Sequence, residues 1–411
     1  MSTTAPNVSS ARTQFIFIML LAGCSIAALS FGPRAALGLF LSPMSQANGW
    51  GRDVFALALA IQVLIWGAAQ PVAGALADRF GPVLVLTTGA VLYAIGLWIM
   101  AYSTTPLALN VSAGVFMGLG IAGSSFTIVI AAFGKLLPAE WRSTAFGAGT
   151  AAGSFGQFLF SPLAVGLQHG FGWQNALVLF GVIILLVIPL SLVLAAPKDA
   201  VVTNAPRQSL REALSEAMGH RSYVLLVLGF FTCGFQLLFI TVHLPAFVVD
   251  RGLSVDVGAW TIGVIGLFNI VGSLLAGWLG DKMPKRYLLA AIYFLRSAAV
   301  LAYISFPITA MSSILFGAGM GLLWLSTVPP TSGLVAIMFG TRWFATLFGV
   351  AFFSHQVGGF LGVWLGGVLF EAFGSYDPIW WGSIALGIAS ALIHLPIVEQ
   401  PVVRPVAAAA A

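Results

Sequence analysis

Apolar residues fill this chain in long unbroken stretches, and polar residues gather in the short intervals between them. Each stretch is close to the ~20 apolar residues that a helix needs to cross the hydrocarbon core of a bilayer. Because lipid offers no partners to backbone N–H and C=O groups, the stretches are predicted to be transmembrane helices. A membrane barrel would instead show alternating runs of about ten residues. Twelve spans are predicted, at residues 14–43, 53–75, 82–103, 106–135, 143–168, 174–196, 221–248, 257–279, 286–306, 308–338, 343–371 and 377–397.

Composition agrees with this pattern. Only 7% of residues are charged and 59% are hydrophobic, whereas a soluble domain carries about 25% charged residues. The net charge of +5 does not indicate a nucleic-acid partner, because the basic residues sit in alternate loops rather than in one patch. Most of the 17 Lys and Arg residues fall on the side of the two termini, and Arg52 and Arg251 fall opposite. The positive-inside rule therefore predicts a multi-pass protein of the cell (inner or plasma) membrane with both termini in the cytoplasm.

A short charged turn occurs twice between apolar stretches. Gly74–Pro82 reads GALADRFGP and Gly277–Arg286 reads GWLGDKMPKR, about 200 residues further along the 411-residue chain. In both copies an Asp follows the first Gly by four residues and a basic residue comes next. The bland alternative is two unrelated cytoplasmic loops, but the matched positions favour two homologous halves.

The predicted fold is therefore an all-α membrane protein with twelve transmembrane helices in two six-helix bundles. Its predicted parts are a cytoplasmic tail at 1–13, an N-terminal bundle at 14–196, a cytoplasmic linker at 197–220, a C-terminal bundle at 221–397 and a cytoplasmic tail at 398–411.

Within the linker, Ser209 and Glu212 have the Ser-x-x-Glu spacing of a helix capping box. One face of the helix that follows is formed by Leu210, Ala213, Leu214 and Met218. This pattern predicts a short amphipathic helix on the inner membrane surface. A solvated linker is the alternative.

Glycines spaced by four residues mark two spans at matched positions in the halves. Gly149 and Gly153 lie in span 5, and Gly358, Gly362 and Gly366 lie in span 11. Such spacing lets helices approach closely, so tight helix packing is predicted at both places.

The twelve spans, the halved chain and the repeated Gly-x-x-x-Asp-Arg/Lys loop resemble the major facilitator superfamily over nearly the whole chain. The resemblance implies a transporter in which two bundles rock about a central site, with a monomeric transport unit. In that superfamily the loop locks the cytoplasmic ends of the bundles together in one state. The resemblance therefore implies gating roles for Asp78, Arg79, Asp281 and Lys282.

A narrower set of motifs is similar to the monocarboxylate transporters and oxalate–formate antiporters. The motifs are Phe31-Gly-Pro-Arg34 running on to Phe40, Gly49-Trp50-Gly51-Arg52, Trp141-Arg142 running on to Gly147, Ala152-Gly153-Ser154-x-x-Gln157, and Phe171-Gly172-Trp173. Monocarboxylate transporters typically carry an Asp and an Arg in span 8, one helical turn apart. Phe268–Ser273 contains neither, so the substrate anchor of that group is missing from its usual place.

Arg34 is a single charge inside span 1. A charged side chain at the centre of a membrane helix costs about 2.5–3.5 kcal/mol, so it is expected to face a wet cavity or a partner. Its position is also where the resembled group has a basic residue. Arg34 is predicted to bind an anionic group through charge-assisted hydrogen bonds. The alternative is an arginine that reaches the outer headgroups.

Arg296 and three other polar residues lie within spans of the second half. Arg296, in span 9, is expected either to contact substrate or to pair structurally with spans 8 and 10. His243 in span 7, and His355 with Gln356 in span 11, are expected either to take up a proton during transport or to be hydrogen-bonded packing residues.

The remaining candidates are small or aromatic residues at helical spacing. Span 10 carries Pro329 and Pro330, whose rings free backbone carbonyls and allow the bending that suits a gating helix. The predicted substrate-binding residues, taken together, are Arg34, Arg296, His243, His355, Gln356, Ser125, Gln157, Asn269, Trp324 and Thr327.

No Asp or Glu falls clearly inside a predicted span, whereas two arginines do. The central cavity should therefore be electropositive, and an anionic substrate fits that field. The sequence has no phosphate-binding Gly-x-x-x-x-Gly-Lys-Ser/Thr loop, no His/Cys cluster with metal-ligand spacing and no nucleophile–base set. We therefore expect no ATP coupling, no metal, no cofactor and no enzymatic activity.

The sequence is thus interpreted as a secondary transporter of a small organic anion, expected to be a carboxylate, driven by a proton or a counter-anion. The first alternative is efflux of neutral or lipophilic compounds, which the 12% aromatic residues would accommodate. A sensor that binds solute without moving it is the second, but the chain offers no sizeable soluble domain to relay a signal.

Overall fold

The computed structural model describes the backbone of residues 8–137, 139–195, 209–340 and 343–402. It also describes nearly all of their side chains, those of residues 8–13, 78, 134, 135, 139–144, 146, 210 and 345 excepted. Helices and turns make up all the regular structure of these residues. This is the outcome that lipid imposes, because only a helix satisfies its backbone within one segment.

Ten helices in the described part of the chain are long and apolar enough to cross a membrane. One of them, Gly147–Leu192, is 46 residues long and holds two predicted spans. Gly172 divides it, because its φ of 80° and ψ of 161° are not helical. The last helix, Asp377–His394, has 18 residues and corresponds to the twelfth predicted span. The structure thus supports the twelve-helix fold.

The spans keep their predicted order, and their helices have the following bounds. Span 1 contains Val8–Ala35, a 3₁₀ turn Leu37–Phe40 and Leu41–Asn48; span 2 is Arg52–Phe80; span 3 is Pro82–Ala101; span 4 contains Pro106–Leu109, a π-helical turn Asn110–Phe116, Met117–Ser124 and Phe126–Leu136; spans 5 and 6 share Ala139–Ile184, which Val187–Leu192 follows; the linker helix is Leu210–Gly219; span 7 is Arg221–Asp250; span 8 is Val255–Lys282; span 9 is Lys285–Ser305; span 10 contains Ala310–Leu323 and Val328–Phe339; span 11 is Phe344–Phe373; and span 12 is Asp377–His394.

Spans 1, 4 and 10 are interrupted, although each was predicted as one continuous helix. In span 1 the helix that contains Pro33 ends two residues later. In span 4 Ser125 is extended, with φ −64° and ψ 152°. In span 10 Pro329 and Pro330 open the second helix, where their missing N–H groups cost nothing. Each interruption leaves backbone groups that need other partners inside the membrane.

Packing between helices repeats in the two halves. Spans 1 and 5 pack together in the first half, and spans 7 and 11, the equivalent positions, pack together in the second. The halves meet where span 2 packs on span 11 and where span 5 packs on span 8. This arrangement agrees with the predicted two six-helix bundles.

The glycine motif of span 11 is a site of close helix approach, whereas that of span 5 is not. A Cβ on Gly358 or Gly362 would collide with the backbone carbonyls of Phe231 or Phe235 in span 7. A Cβ on Gly149 or Gly153 would meet its nearest neighbour only at 3.7 Å or 3.9 Å. Tight packing is thus confirmed for the motif of span 11. The prediction is wrong for Gly149 and Gly153, because spans 1 and 5 approach closely at Gly156 instead, where a Cβ would collide with the carbonyl of Ala28.

The linker contains the predicted short helix. Ser209 Oγ accepts the backbone N–H of Glu212 at 3.3 Å, and the Glu212 carboxylate accepts the N–H of Ser209 at 2.9 Å. The capping box is therefore confirmed. Ala213 and Ala217 are buried on the inner face of this helix, while Met218 is exposed. The linker residues before 209 lie outside the described residues.

Candidate functional site

Arg34 is turned into the protein rather than out to the headgroups. It is 7% exposed and comes at the end of the first helix of span 1, where Pro33 precedes it. Its guanidinium carbon lies 4.7 Å from the ring centroid of Trp66 and 5.6 Å from that of Phe31. Its buried Nε has no hydrogen-bond partner, and no described carboxylate forms an ion pair with it. The side chain is a buried cation held by aromatic faces, with donor capacity left over.

The indole of Trp66 joins this cation to the interruption of span 4. Its Nε1 donates to Gln70 Oε1 at 2.9 Å, and Gln70 Nε2 donates to Ser125 Oγ at 3.0 Å. The extended backbone at Ser125 is what brings its hydroxyl within reach of span 2. The predicted residue Ser125 is thus connected to Arg34 through two intermediate side chains.

The same indole also connects Arg34 to span 11 in the other half. Trp66 contacts Phe352 edge to face at 5.6 Å, and Phe352 stacks on the His355 ring at 5.7 Å. His355 Nδ1 lies 3.0 Å from Gln356 Oε1, and Gln356 Nε2 donates to Val63 O in span 2 at 3.1 Å. Since Gln356 Oε1 only accepts, Nδ1 of His355 carries the proton. The predicted residues Arg34, His355 and Gln356 therefore form one connected group across the interface of the halves.

Arg296 binds the backbone carbonyls at the interruption of span 10. Its Nε and Nη2 donate to Leu323 O at 3.0 Å and 2.6 Å, and Nη2 also donates to Trp324 O. These carbonyls end the first helix of span 10 and have lost their helical partners. Nη1 is buried without a partner. The contacts favour the structural of the two roles predicted for Arg296. The predicted residue Trp324 takes part in them through its backbone carbonyl.

Thr327 lies on the far side of the same interruption and is fully buried. Its hydroxyl is 3.3 Å from Cys233 Sγ. The Cys233 thiol, which was not among the candidates, lies close to His355 as well.

Asn269 and Gln157 connect span 5 of the first half to span 8 of the second. Asn269 Nδ2 donates to Ser154 Oγ at 2.8 Å, and its Oδ1 accepts the backbone N–H of Leu325 at 2.9 Å. Gln157 Nε2 donates to Ile262 O at 3.0 Å. Asn269 therefore holds the interruption of span 10 and the interface of the halves with one amide.

His243 lies apart from these residues, towards the end of span 7 that is predicted to face outside. Its Nε2 is 2.8 Å from Val363 O and its Nδ1 is 3.1 Å from the Tyr376 hydroxyl. Because a carbonyl only accepts, Nε2 carries the proton and Nδ1 is the acceptor. The Tyr376 hydroxyl in turn accepts from Arg52 Nη1 at 3.0 Å. His243 thus belongs to a network at the end of the bundle rather than to the group around Arg34.

Arg52 is the functional candidate that the sequence reasoning missed. Its Nη1 and Nη2 each donate to one oxygen of Asp250 at 2.6 Å, and its backbone N–H donates to Glu371 Oε1 at 2.7 Å. Its guanidinium carbon lies 4.0 Å from the ring centroid of Phe370. We call Arg52, Asp250, Glu371 and Tyr376 the outer clamp, because they join span 2 of the first half to spans 7, 11 and 12 of the second at the end of the bundles that is predicted to face outside.

One signal in the sequence pointed towards the clamp. Arg52 and Arg251 are the basic residues assigned to the side with few positive charges, and such exceptions need partners. The structure gives Asp250 to Arg52, and Asp377 to Arg251 at 3.5 Å.

The predicted gating residues lie at the opposite end. The side chain of Asp78 lies outside the described side chains, while Arg79, Asp281 and Lys282 are exposed. Arg79 lies over Phe80 at 5.1 Å and Lys282 over Trp278 at 4.1 Å. None of these three forms an ion pair with another described side chain. Among the described side chains, the ion pair that joins the halves is therefore Arg52–Asp250, at the end of the bundles opposite the predicted gating residues.

Twelve spans in two matched bundles, with interrupted helices meeting polar side chains at the interface, define a multi-pass membrane transporter. A sequence model of the Major Facilitator Superfamily matches residues 23–363. The chain belongs to that superfamily, and it is a transporter rather than an enzyme.

Relatives and a solved structure agree with this assignment. Monocarboxylate transporter 13 of Rattus norvegicus is 26% identical over 381 residues, which cover 90% of this chain and 86% of that one. The uncharacterised MFS-type transporter YcxA of Bacillus subtilis is 27% identical over 350 residues, covering 82% and 84%. The fold is similar to the crystal structure of a bacterial homologue of the human lysosomal transporter Spinster, inward-facing and occupied, with a TM-score of 0.73, 15% identity, and coverage of 95% and 97%. The resemblance to the superfamily and to monocarboxylate transporters is confirmed.

Proposed function

We propose that this protein moves a small organic anion, a carboxylate, across the membrane by alternating access. The observation that carries the proposal is the Arg34 guanidinium, which is buried against Trp66, lacks a described carboxylate partner and has an unpaired Nε. A buried cation without a counter-ion is costly, and a bound carboxylate supplies both the charge and the acceptors that it lacks. The substrate carboxylate therefore pairs with Arg34.

The second half contributes through His355. A neutral imidazole with its proton on Nδ1 presents Nε2 as an acceptor, beside the Cys233 thiol. A substrate that bears a hydroxyl or a carboxylic proton can use such an acceptor, which gives His355 a role in substrate or proton binding. Transport is driven either by a proton or by exchange for a counter-anion.

Two further features support a carboxylate over other anions. The names of relatives such as Monocarboxylate transporter 13 indicate monocarboxylate transport in those proteins. The rings of Phe31, Trp66 and Phe352 around the cation also suit an organic anion with an apolar body. The same rings suit a neutral lipophilic compound, which is the competing function.

We also propose the membrane arrangement and the gate. The bundles comprise residues 14–196 and 221–397, with the termini and the linker in the cytoplasm of a cell whose inner or plasma membrane holds the protein. The distribution of Lys and Arg supports this orientation. Asp78, Arg79, Asp281 and Lys282 then act at the cytoplasmic gate, and the outer clamp closes the opposite side.

Uptake into proteoliposomes tests the proposed function. Purified protein is reconstituted and offered labelled short-chain mono- and dicarboxylates, with and without an inward proton gradient. Uptake is expected, and Arg34→Gln is expected to reduce it on the order of tenfold to a hundredfold, the loss for a charge-assisted hydrogen bond.

Arg211→Gln, which changes an exposed arginine of the linker helix, is the matched control and should transport as the parent does. Carboxylate uptake that survives Arg34→Gln unchanged contradicts the anchor. Export of lipophilic dyes without any carboxylate uptake would support the competing function instead.

A further inference from the structure

The outer clamp is a strong, partly shielded connection between the halves. The Arg52–Asp250 pair is bidentate, with side chains that are 17% and 30% exposed. An ion pair with two parallel hydrogen bonds is stronger than a single exposed contact. The partial burial of this pair also reduces the weakening effect of water. Glu371 adds a third contact through the backbone of Arg52. Separation of the outer ends of spans 2, 7 and 11 must break these bonds.

Tyr376 connects this clamp to the interior. A guanidinium only donates, so the Tyr376 oxygen accepts from Arg52 Nη1 and its own proton points to His243 Nδ1. Burial raises the pKa of the Tyr376 hydroxyl, so it keeps that proton. The order of donation is therefore fixed, from Arg52 to Tyr376 to His243 to Val363 O.

His243 has no room for another arrangement. It is fully buried, its ring stacks on Phe239 at 5.6 Å, and a Cβ on Gly366 would lie 2.6 Å from it. Tyr376, from the turn before span 12, is the titratable group that it contacts, and Arg52 of span 2 is the charge that acts on it. Asp250 of span 7 and Glu371 of span 11 bind Arg52 in turn, and Asp53 of span 2 lies beside Glu371 against Gly51.

We propose that His243 is a proton-binding site that controls the outer clamp: the clamp is closed when His243 is neutral, and a proton on Nδ1 opens it. A proton there turns Nδ1 from an acceptor into a donor, so the Tyr376 hydroxyl proton loses its acceptor and the order of donation is broken. It also adds a positive charge that only Tyr376 separates from the Arg52 guanidinium. Both effects favour parting of the halves at the outer end, where water can then solvate the imidazolium.

The proton balance is simple. One proton enters from the outer solution as the clamp opens and returns to the same solution as it closes, so this site carries no charge across the membrane. An imidazole exposed to water titrates near pH 6.5. Below about that pH, uptake of one proton on opening raises the ratio of open to closed protein by up to about tenfold per pH unit. Under the proposed function, on which this consequence rests, outside acidity would prepare the carrier to load anions.

Distance measurements between spin labels test the proposal on the full chain in nanodiscs. Ala47→Cys on the first half and Ser254→Cys on the second, both exposed at the outer end, carry the labels in a background with Cys24→Ser and Cys233→Ser. In the parent, the longer-distance population should grow several-fold as the pH falls from about 8 to about 5, the range in which imidazole titrates.

His243→Gln should remove this response, whereas His169→Gln, which changes an exposed histidine at the outer end of span 5, should keep it. Arg52→Gln should give the long distance at every pH. Tyr376→Phe, which retains the ring, should weaken the response and serves alone if His243→Gln does not fold. A response that persists in His243→Gln or is undiminished in Tyr376→Phe overturns the proposal, as does a parent without any response.

The label distances are independent of substrate. A pH response without carboxylate uptake would support the role of His243 in the outer clamp and contradict the proposed function. Carboxylate uptake without a pH response at the outer end would support the proposed function and contradict the role of His243.

Discussion

The Arg34 guanidinium lies on the ring face of Trp66, 4.7 Å from the ring centroid, and Trp66 Nε1 donates a hydrogen bond to Gln70 Oε1. The cation is therefore positioned by an aromatic face and not by an acid. This arrangement leaves the charge available to a ligand, which a salt bridge to an internal carboxylate would not.

Replacement of Trp66 should weaken substrate binding without removing it. Trp66→Leu loses the aromatic face, worth about 0.5–2 kcal/mol, so the KM for carboxylate uptake should rise about 2- to 30-fold. Trp66→Phe keeps a ring and should lie between this variant and the parent. Trp381→Leu, an exposed tryptophan of span 12, is the control. Equal KM values for Trp66→Leu and the parent would show that the ring does not position the cation.

The two buried arginines should respond oppositely when their charge is removed. Arg34→Gln loses no described hydrogen bond and relieves an unpaired buried charge, so its melting temperature should equal or exceed that of the parent. Arg296→Gln strands the carbonyls of Leu323 and Trp324, at about 1–3 kcal/mol for each unsatisfied group, and should melt lower. Thermal unfolding in detergent, with Arg211→Gln alongside, measures both. A destabilised Arg34→Gln would mean that this guanidinium is structural as well.

Span 11 should tolerate alanine at one glycine and not at another. Gly358→Ala drives a methyl group into the Phe231 carbonyl, and overpacking of this kind costs about 1–3 kcal/mol. Gly349→Ala, in the same helix, meets nothing within 4 Å and should be neutral or up to about 1 kcal/mol stabilising. The difference in melting temperature between these variants is the readout. Two variants of equal stability would contradict the close packing of spans 7 and 11.

Asn269 should be less replaceable than its exposed counterpart. Asn269→Leu removes the bond to Ser154 and leaves the buried N–H of Leu325 unpaired, a loss of about 1–3 kcal/mol. Asn175→Leu removes only a bond within one turn of an exposed helix end and is the control. Unfolding monitored by tryptophan fluorescence compares them, and comparable stabilities would show that the amide of Asn269 is dispensable.

Hydropathy alone predicted the twelve spans. Lipid offers no partners to unpaired backbone groups, so a long apolar stretch inside the membrane must form a helix. Hydropathy did not predict the interruptions of spans 1, 4 and 10. Pro329 and Pro330 indicated a bend in span 10, whereas a serine such as Ser125 gives no comparable indication of a break in span 4. The hydroxyl oxygen of Ser125 accepts a hydrogen bond from Gln70 Nε2, and this partner comes from another span.

The free-energy cost of placing a charged side chain in lipid made Arg34 a candidate from the sequence. No comparable cost identified the partners of Arg296 or Arg52. Arg34 had to avoid lipid, so its charge predicted either an inward direction or a side chain that reaches the headgroups, and the structure shows the first. The partners of Arg296 are carbonyls that exist only because span 10 is interrupted, so they were hidden with the interruption. Arg52 and Asp250 are far apart in the chain, and nothing in either loop says which loop of the other half it meets.

Spans 5 and 6 are joined by a single non-helical residue, Gly172, and so have no slack between them. Span 5 also holds Ser154 and Gln157, which bind span 8 of the opposite half. We therefore expect a shift that starts at this interface to reach span 6, because no loop is present to absorb it. Lengthening the turn at residue 172 should uncouple spans 5 and 6 while leaving every contact at the interface in place.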